Sequence, residues 1–257
     1  MARIHLFELQ DQPWFPTTLG DAGTAYLEAL SRLGGIETFL APPIADALDR
    51  AGCDAIVDLC SGAGGPAVAV AELLRAEGRQ VGLTLSDRKP NQPALGAQAA
   101  AGVTVWPEPV DAAAVPAGLT GLRTLFNAFH HFGDAQALAV LQDAVRAGAP
   151  VVIVELSERA AHSVLGSVLI PLFVWLAMPA VRPVRPLWLL LTYLIPILPL
   201  TIAWDGFVSH LRTRSPEELE ALVARLDAPG WTWEARKVPI KGPTGYTLLL
   251  GLPPLRR

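Results

Sequence analysis

The chain has 257 residues, 51% of them hydrophobic and 17% charged, with a mean hydropathy of +0.37. That length allows one α/β domain with a large core and a sizeable insertion. A formal net charge of −4 and a pI near 5.7 argue against nucleic-acid binding, which needs a basic face, and two cysteines, Cys53 and Cys60, make neither a disulfide framework nor a zinc spacing.

Residues 1–8 lack the basic start and apolar run of a secretory signal, so a reducing, cytoplasmic setting is expected. In Phe7-Glu8-Leu9-Gln10-Asp11-Gln12-Pro13-Trp14-Phe15-Pro16, two prolines bracket two aromatics and favour an extended or turning backbone. This stretch is read either as an aromatic plug on the core or as a lid over a site. Two helices follow, over 22–33 and 42–51.

Ile56-Val57-Asp58-Leu59 is a buried strand running into Cys60-Ser61-Gly62-Ala63-Gly64-Gly65, and a helix starts at Pro66 and continues to residue 76. Glycines let the backbone approach a ligand, and the helix start offers free N–H groups with a partial positive charge. A second strand, 81–87, ends in Asp87. An acid about 20 residues beyond such glycines is where a ribose diol is held in a βαβ nucleotide site. A weaker helix over 93–101 and a third strand, 103–106, lead to Asp111.

The fourth strand, 123–128, carries Asn127 and runs into Phe129-His130-His131-Phe132; a helix over 134–147 and a fifth strand, 151–155, follow. Ligand sites of parallel sheets lie at the carboxyl ends of the strands. His130 and His131 fall there, and a neutral imidazole can take a proton from a hydroxyl or amine.

Residues 163–204 carry only two charges, Arg182 and Arg185, and six prolines. The segment divides into apolar arms at 164–181 and 187–204, 18 residues each. At a rise of about 1.5 Å per residue each reaches roughly 27 Å, just short of a hydrocarbon core of about 30 Å. A membrane-spanning hairpin, a shallow membrane-docking hairpin and an apolar cap over a pocket are the three readings; the broken arms and the two-arginine turn favour shallow docking. Beyond it, Asp205 and His210 are further candidates for proton handling, with an Asp205–Arg212 ion pair as the plain alternative. Ser215 and Glu218 form a capping box for a helix reaching 226, and strands 232–238 and 246–250 close as an antiparallel pair across 241–245.

Taken together, these motifs resemble those of the class I S-adenosylmethionine-dependent methyltransferases. Asp58, Gly62 and Gly64 match the family's first motif, with Cys60 standing where its first glycine is usual; Asp87 matches its ribose-binding acid and Asp111 the acid that holds the adenine amino group. The resemblance covers residues 54–155. It implies an α/β fold with a seven-stranded, mostly parallel sheet, helices on both faces and an apolar helical insertion after strand five. Within one domain, 1–52 would form the lid and lead helices, 53–157 the cofactor half, 158–213 the insertion and 214–257 the last helix and hairpin. S-adenosylmethionine would be held by Asp58, Cys60, Ser61, Gly62, Gly64, Asp87, Asp111 and Asn127. The end of strand four would face the transferring methyl group, so His130, His131, Asp205 and His210 are the catalytic candidates; no metal is called for. The acceptor is expected to be a lipophilic small molecule or lipid, met in the cytoplasm or at the inner face of the membrane. Two competing readings are a nucleotide-dependent oxidoreductase and a non-catalytic, membrane-docked binding protein that keeps the fold.

Overall fold

The structure is a computed structural model that describes residues 2–90, 96, 98–100, 102–241 and 244–254. Seven strands form one sheet: β1 (Ala55–Leu59), β2 (Gly82–Ser86), β3 (Thr104–Val105), β4 (Leu122–Phe126), β5 (Val151–Glu155), β6 (Thr232–Lys241) and β7 (Thr244–Leu252), in the order β3-β2-β1-β4-β5-β7-β6. The first five run parallel; β7 pairs antiparallel with β5, and β6 with β7. The central strands β4 and β5 are buried along their whole length; β5 is an unbroken apolar run up to Glu155, whereas β4 carries Arg123 and Thr124, whose polar groups bond to Asp143 and Asp58. Strand order reverses at β1 and β4, which places a crevice between the carboxyl ends of those two strands.

Helices α1 (Thr17–Gly34), α2 (Glu37–Ala51), α3 (Gly65–Ala76) and α4 (Asp134–Ala147) surround the sheet. One core packs Leu40, Ile44 and Leu74 against Ile56, Leu85 and Val152. The opposite core packs Leu141 and Leu222 against Val57, Leu125 and Ile153. Helix α2 starts five residues earlier than the two prolines suggest, with Pro42 and Pro43 inside it. A proline removes the amide that would pair with the carbonyl four residues back. For Pro43 that carbonyl belongs to Phe39, and it accepts a hydrogen bond from Tyr246 Oη at 3.0 Å instead. Helix α1 likewise begins before the expected residue 22, directly after Pro16. Of the helix expected over 93–101, Gly96 and 98–100 are helical; residues 93–95, 97 and 101, like Gly242 and Pro243 of the last turn, lie outside the described residues.

After β5 the chain builds an apolar cap from α5 (Ala161–Gly166), α6 (Ile170–Ala177), α7 (Pro186–Tyr193) and the first half of α8 (Ile197–Arg212). Short 3-10 turns join α5 to α6 and follow α6, giving a continuous apolar helical run of 20 residues, Ala161–Ala180, of which little is buried. The second arm is bent by 78° between α7 and α8. The stretch around Asp205 is the second half of α8. The cap meets the body through a separate core in which Tyr26 of α1 packs with Val174, Met178, Trp188 and Leu198.

The outer side of the cap is open. Leu165 is 73% exposed, Leu194 is 74% exposed, and Phe173, Trp175 and Leu176 are at least half exposed, whereas Trp188 is buried. At the tip, the Arg185 guanidinium lies 4.6 Å from the centre of the Trp188 ring. The last helix, α9 (Pro216–Val223), carries the expected capping box: Ser215 Oγ accepts from Glu218 N–H at 3.3 Å, and Glu218 Oε2 accepts from Ser215 N–H at 2.9 Å.

Candidate functional site

The turn after β1 packs its backbone tightly against the protein's own side chains. Gly64, the residue before α3, has φ +96°, and a Cβ there would lie 3.0 Å from Val68 Cγ2 and 3.2 Å from Leu85 Cδ1. Cys60 adopts φ +60°, a conformation that costs a non-glycine residue roughly 1 kcal/mol and is typical of strain held at functional sites. Burial first, then the negative charges of Asp87, Asp58 and Asp111, push its thiol pKa up, so it stays protonated and unreactive. Ser61 clamps the turn: its Oγ donates to Asp58 O at 2.9 Å and accepts from Ser86 N–H at 3.1 Å.

Asp87 lies across this turn. Its Oδ2 accepts from Gly62 N–H at 2.9 Å and its Oδ1 from Lys89 N–H at 2.7 Å. Burial raises its pKa, against the pull of those amides. Asp87 O accepts from Val110 N–H at 2.9 Å, which brings Asp111 alongside; the Asp111 side chain is exposed and caps its own turn through Ala113 N–H at 2.9 Å. Asp58 is different. It is buried in the sheet, its Oδ1 accepts from Thr124 Oγ1 at 2.7 Å across the β1–β4 pair, and burial pushes its pKa up to about 7. Asn127 sits at φ +51° and braces the neighbouring strand ends: its Oδ1 accepts from Leu156 N–H at 2.6 Å.

The two histidines lie just past β4 on a short 3-10 turn, Phe129–His131, with ring centres 4.3 Å apart. His130 is buried. Its Nδ1 lies 2.6 Å from Glu155 Oε2, and its N–H donates to Glu155 Oε1 at 2.9 Å. A carboxylate only accepts, so Nδ1 carries the proton and Nε2 is the reactive nitrogen. Burial alone would raise the Glu155 pKa, but His130 and His131 hold it below the usual range. A carboxylate that orients an imidazole in this way favours proton transfer or substrate positioning at Nε2.

What faces that nitrogen comes from the N-terminus. Residues 2–16 contain no regular helix or strand and form a strap across α8 and the histidine turn. Ile4 N–H donates to Leu211 O, Trp204 Nε1–H to Phe7 O, and the N–H groups of Leu9 and Gln10 to the two oxygens of Asp205 at 2.6 and 3.2 Å. Glu8 is thereby driven inside, with Oε1 3.5 Å from His130 Nε2 and 3.3 Å from Arg212 Nη1. His131 Nδ1 donates to Asp11 Oδ1 at 2.9 Å; burial works against its charge, yet Glu8 and Asp11 raise its pKa to about 9. Arg212 closes the network on Asp11 Oδ2 at 2.8 Å and on the carbonyls of His130 and His131.

Of the four sequence-predicted proton-handling residues, His130 and His131 share this cluster. Asp205 is spent on the strap, with its pKa pushed up to about 6 by burial. The local Asp205–Arg212 pair is not formed, because each finds a better partner on the strap. His210 Nδ1 accepts from Glu158 N–H at 3.1 Å, and burial lowers its pKa. Glu8, His130 and His131 offer ligand atoms within 4.8 Å of one another, but the Arg212 guanidinium already supplies a cation there, so the group is an ion-pair network. Sequence reasoning missed Glu8, Asp11, Arg212 and Glu155 as members of one cluster; only folding brings them together, and no spacing announces it. Two shallow clefts, beside Asp54 and Gly82 and beside Gly230 and Thr232, open at the amino ends of the strands, away from this chemistry.

No protein-family model matches the chain, and no curated protein matches it. Among solved structures, the plantazolicin methyltransferase BpumL in complex with SAH aligns over 95% of this chain and 92% of its own, with TM-score 0.54 and 10% identity. The fold is that of a class I methyltransferase. The mitomycin 7-O-methyltransferase MmcR (TM-score 0.47, 17% identity) is matched over 92% of this chain and 54% of its own. The pyocyanin biosynthetic protein PhzM (TM-score 0.45, 18% identity) is matched over 77% of this chain and 49% of its own, so the chain spans about half the length of these two. On this fold the glycine turn follows β1, Asp87 follows β2, Asp111 lies in the loop beyond β3, and the histidine cluster follows β4.

Proposed function

We propose that the protein is an S-adenosylmethionine-dependent methyltransferase acting on a lipophilic acceptor that it meets at a membrane surface. The observation that carries the cofactor reading is Asp87 Oδ2 on Gly62 N–H at 2.9 Å: the acid faces the glycine turn, where a ribose diol can replace the amide contact. Gly62 and Gly64 would admit the amino-acid end of the cofactor, Asp111 would take its adenine amino group, and Asp58 with Ser61 and Thr124 would hold the turn in shape. Cys60 and Asn127 would line the same crevice. BpumL, which shares the fold, was solved with SAH. When bound, the cofactor supplies an electrophilic methyl group. The chain's own work is proximity and alignment, with His130, oriented by Glu155, at the acceptor atom. Asp87→Ala removes a charged acceptor worth about 1.5–3 kcal/mol, so affinity for S-adenosylmethionine should fall at least about tenfold in calorimetric titration. Unchanged affinity in a folded variant would remove the ribose assignment.

The acceptor reading rests on the cap. Its outer face presents Leu165, Phe173, Trp175, Leu176 and Leu194, and the only charges from Ser163 to Trp204 are Arg182 and Arg185 at the tip. Apolar faces of this extent on soluble proteins mark interaction sites, and arginines at the rim suit anionic headgroups. The bent second arm favours lying in the interface over crossing it. The unaltered chain should float with anionic liposomes. Phe173→Ser with Leu176→Ser should weaken that binding by roughly 2 kcal/mol, about thirtyfold, each side chain being half exposed at the start. A monodisperse, detergent-free monomer that ignores such liposomes would rule the surface out.

A further inference from the structure

We propose that the space beneath the N-terminal strap is the acceptor's anion site, and that the acceptor is a lipophilic carboxylic acid whose carboxylate replaces that of Glu8. The inference rests on the methyltransferase reading and adds the substrate class. Glu8 is fully buried although it belongs to a segment without regular structure. Its carboxylate lies among polar groups: Ser209 Oγ and Gln10 Nε2 reach it at 3.2 and 3.3 Å, the Arg212 guanidinium at 3.3 Å, and the rings of His131 and His130 at 3.5 Å. All are longer than the roughly 2.7–2.9 Å of a well-made charge-assisted bond. The site is thus shaped for a carboxylate and filled loosely by one, which makes Glu8 a stand-in that a better-fitting anion can displace.

Charge selects the class. Arg212 and His131 both carry positive charge at neutral pH, because Glu8 and Asp11 overcome the effect of burial on His131. If Glu8 withdrew and an alcohol or amine entered, only Asp11 would be left to balance Arg212 and to hold the His131 proton against burial, which is unfavourable. An entering carboxylate restores the balance. An apolar neighbour for its tail lies beside the strap: Trp204, packed by Phe7 at 5.6 Å, centre to centre, on the helix that continues into the apolar cap. Chemically the step closes without a base. The carboxylate oxygen forms a bond to the methyl carbon of the sulfonium donor as the carbon–sulfur bond breaks, and the electron pair stays on sulfur. A methyl ester and a neutral thioether result, the two charges cancel, and no proton is released. Arg212 then acts as the donor that positions the oxygen.

The test is binding, measured without cofactor, so that it stands or falls apart from the methyltransferase reading. Dodecanoate and dodecanol, which share a chain and differ in charge, are titrated into the unaltered protein and into Glu8→Ala. Removing the internal competitor should tighten dodecanoate binding at least tenfold and leave dodecanol unchanged. In the unaltered protein, dodecanoate but not dodecanol should speed amide exchange at Leu9 and Gln10, which report the strap; this second readout holds if Glu8→Ala does not fold. Equal gains for both ligands would mean that only the tail is bound, and unaltered strap exchange under saturating dodecanoate would mean that the anion does not enter. Either result overturns the proposal.

Discussion

Replacing His130 by alanine should cut turnover by about 100- to 10,000-fold while cofactor affinity stays near its original value. That range is what a positioned proton-transfer group contributes, and its lower end is what misalignment of a reacting atom by about an ångström costs. The ring is buried and held at 2.6 Å by Glu155, so its loss leaves a buried carboxylate without its partner. Glu155→Gln is therefore the companion variant: it keeps the ring in place, removes the orienting charge and should also slow turnover. The pH–rate profile separates the two roles of His130. A proton-accepting histidine gives the unaltered enzyme an acidic limb that the alanine variant lacks. A histidine that donates to an anionic acceptor gives a rate that falls as pH rises. Full activity of His130→Ala with an unchanged profile would take the histidine out of the chemistry altogether.

The second expected result is that the strap loosens in alkali. His131 has a pKa of about 9 in the folded chain against an ordinary value of 6.5. A group whose pKa is raised by folding stabilises the folded state fully below its unfolded value and loses that contribution as pH climbs through the folded one. The window is therefore pH 6.5 to 9, and the amount at stake is about 3 kcal/mol at roughly 1.4 kcal/mol per unit. The anions that hold His131 charged, Glu8 and Asp11, are both on the strap, so its release is the natural way for the loss to appear. Asp205, at about 6, is mostly ionised at the start of this window and completes its ionisation in its lower part. Protection of the Leu9 and Gln10 amides, corrected for intrinsic exchange, should fall between pH 6.5 and 9.5; constant protection would show that His131 does not hold the strap. Acid acts on the other partner. Burial alone would raise the Asp11 pKa, but His131 and Arg212 hold it below the carboxylate range, so its contribution persists above about pH 4 and is lost only in stronger acid.

The sheet was legible because each parallel strand is short, rich in apolar residues and followed by a glycine, an acid or a polar residue: Asp58 to Gly62, Ser86-Asp87, Asn127, Glu155. Order followed from alternation with helices, and the last antiparallel pair from its turn residues. The start of α2 was not legible, because Pro42 and Pro43 read locally as a beginning and the hydrogen bond that excuses them comes from Tyr246, some 200 residues on. The residues expected to hold the cofactor fall at strand ends, where a parallel sheet opens. Asp58 shows the limit: a carboxylate in the motif looks available to a ligand until the β1–β4 register sets it against Thr124. The histidine cluster was half visible. His130 and His131 stand out in the chain, but their partners Glu8 and Asp11 lie about 120 residues away and Arg212 about 80, and ion pairing over such separations leaves no pattern in sequence.

Helix α8 sets a rule for anyone who would recombine this protein. Its first half belongs to the apolar cap, and its second half, through Asp205, Ser209 and Arg212, seats the strap and braces the histidine turn. A chimera that exchanges the whole insertion would carry off the strap's anchorage along with the cap. Junctions at residues 160 and 196 would spare it, provided the incoming segment offers an apolar counterpart to Tyr26, now packed on Trp188 and Val174. The cap and the seat of the strap thus share one helix, and a lineage that traded one cap for another would have had to keep or rebuild the other end of it.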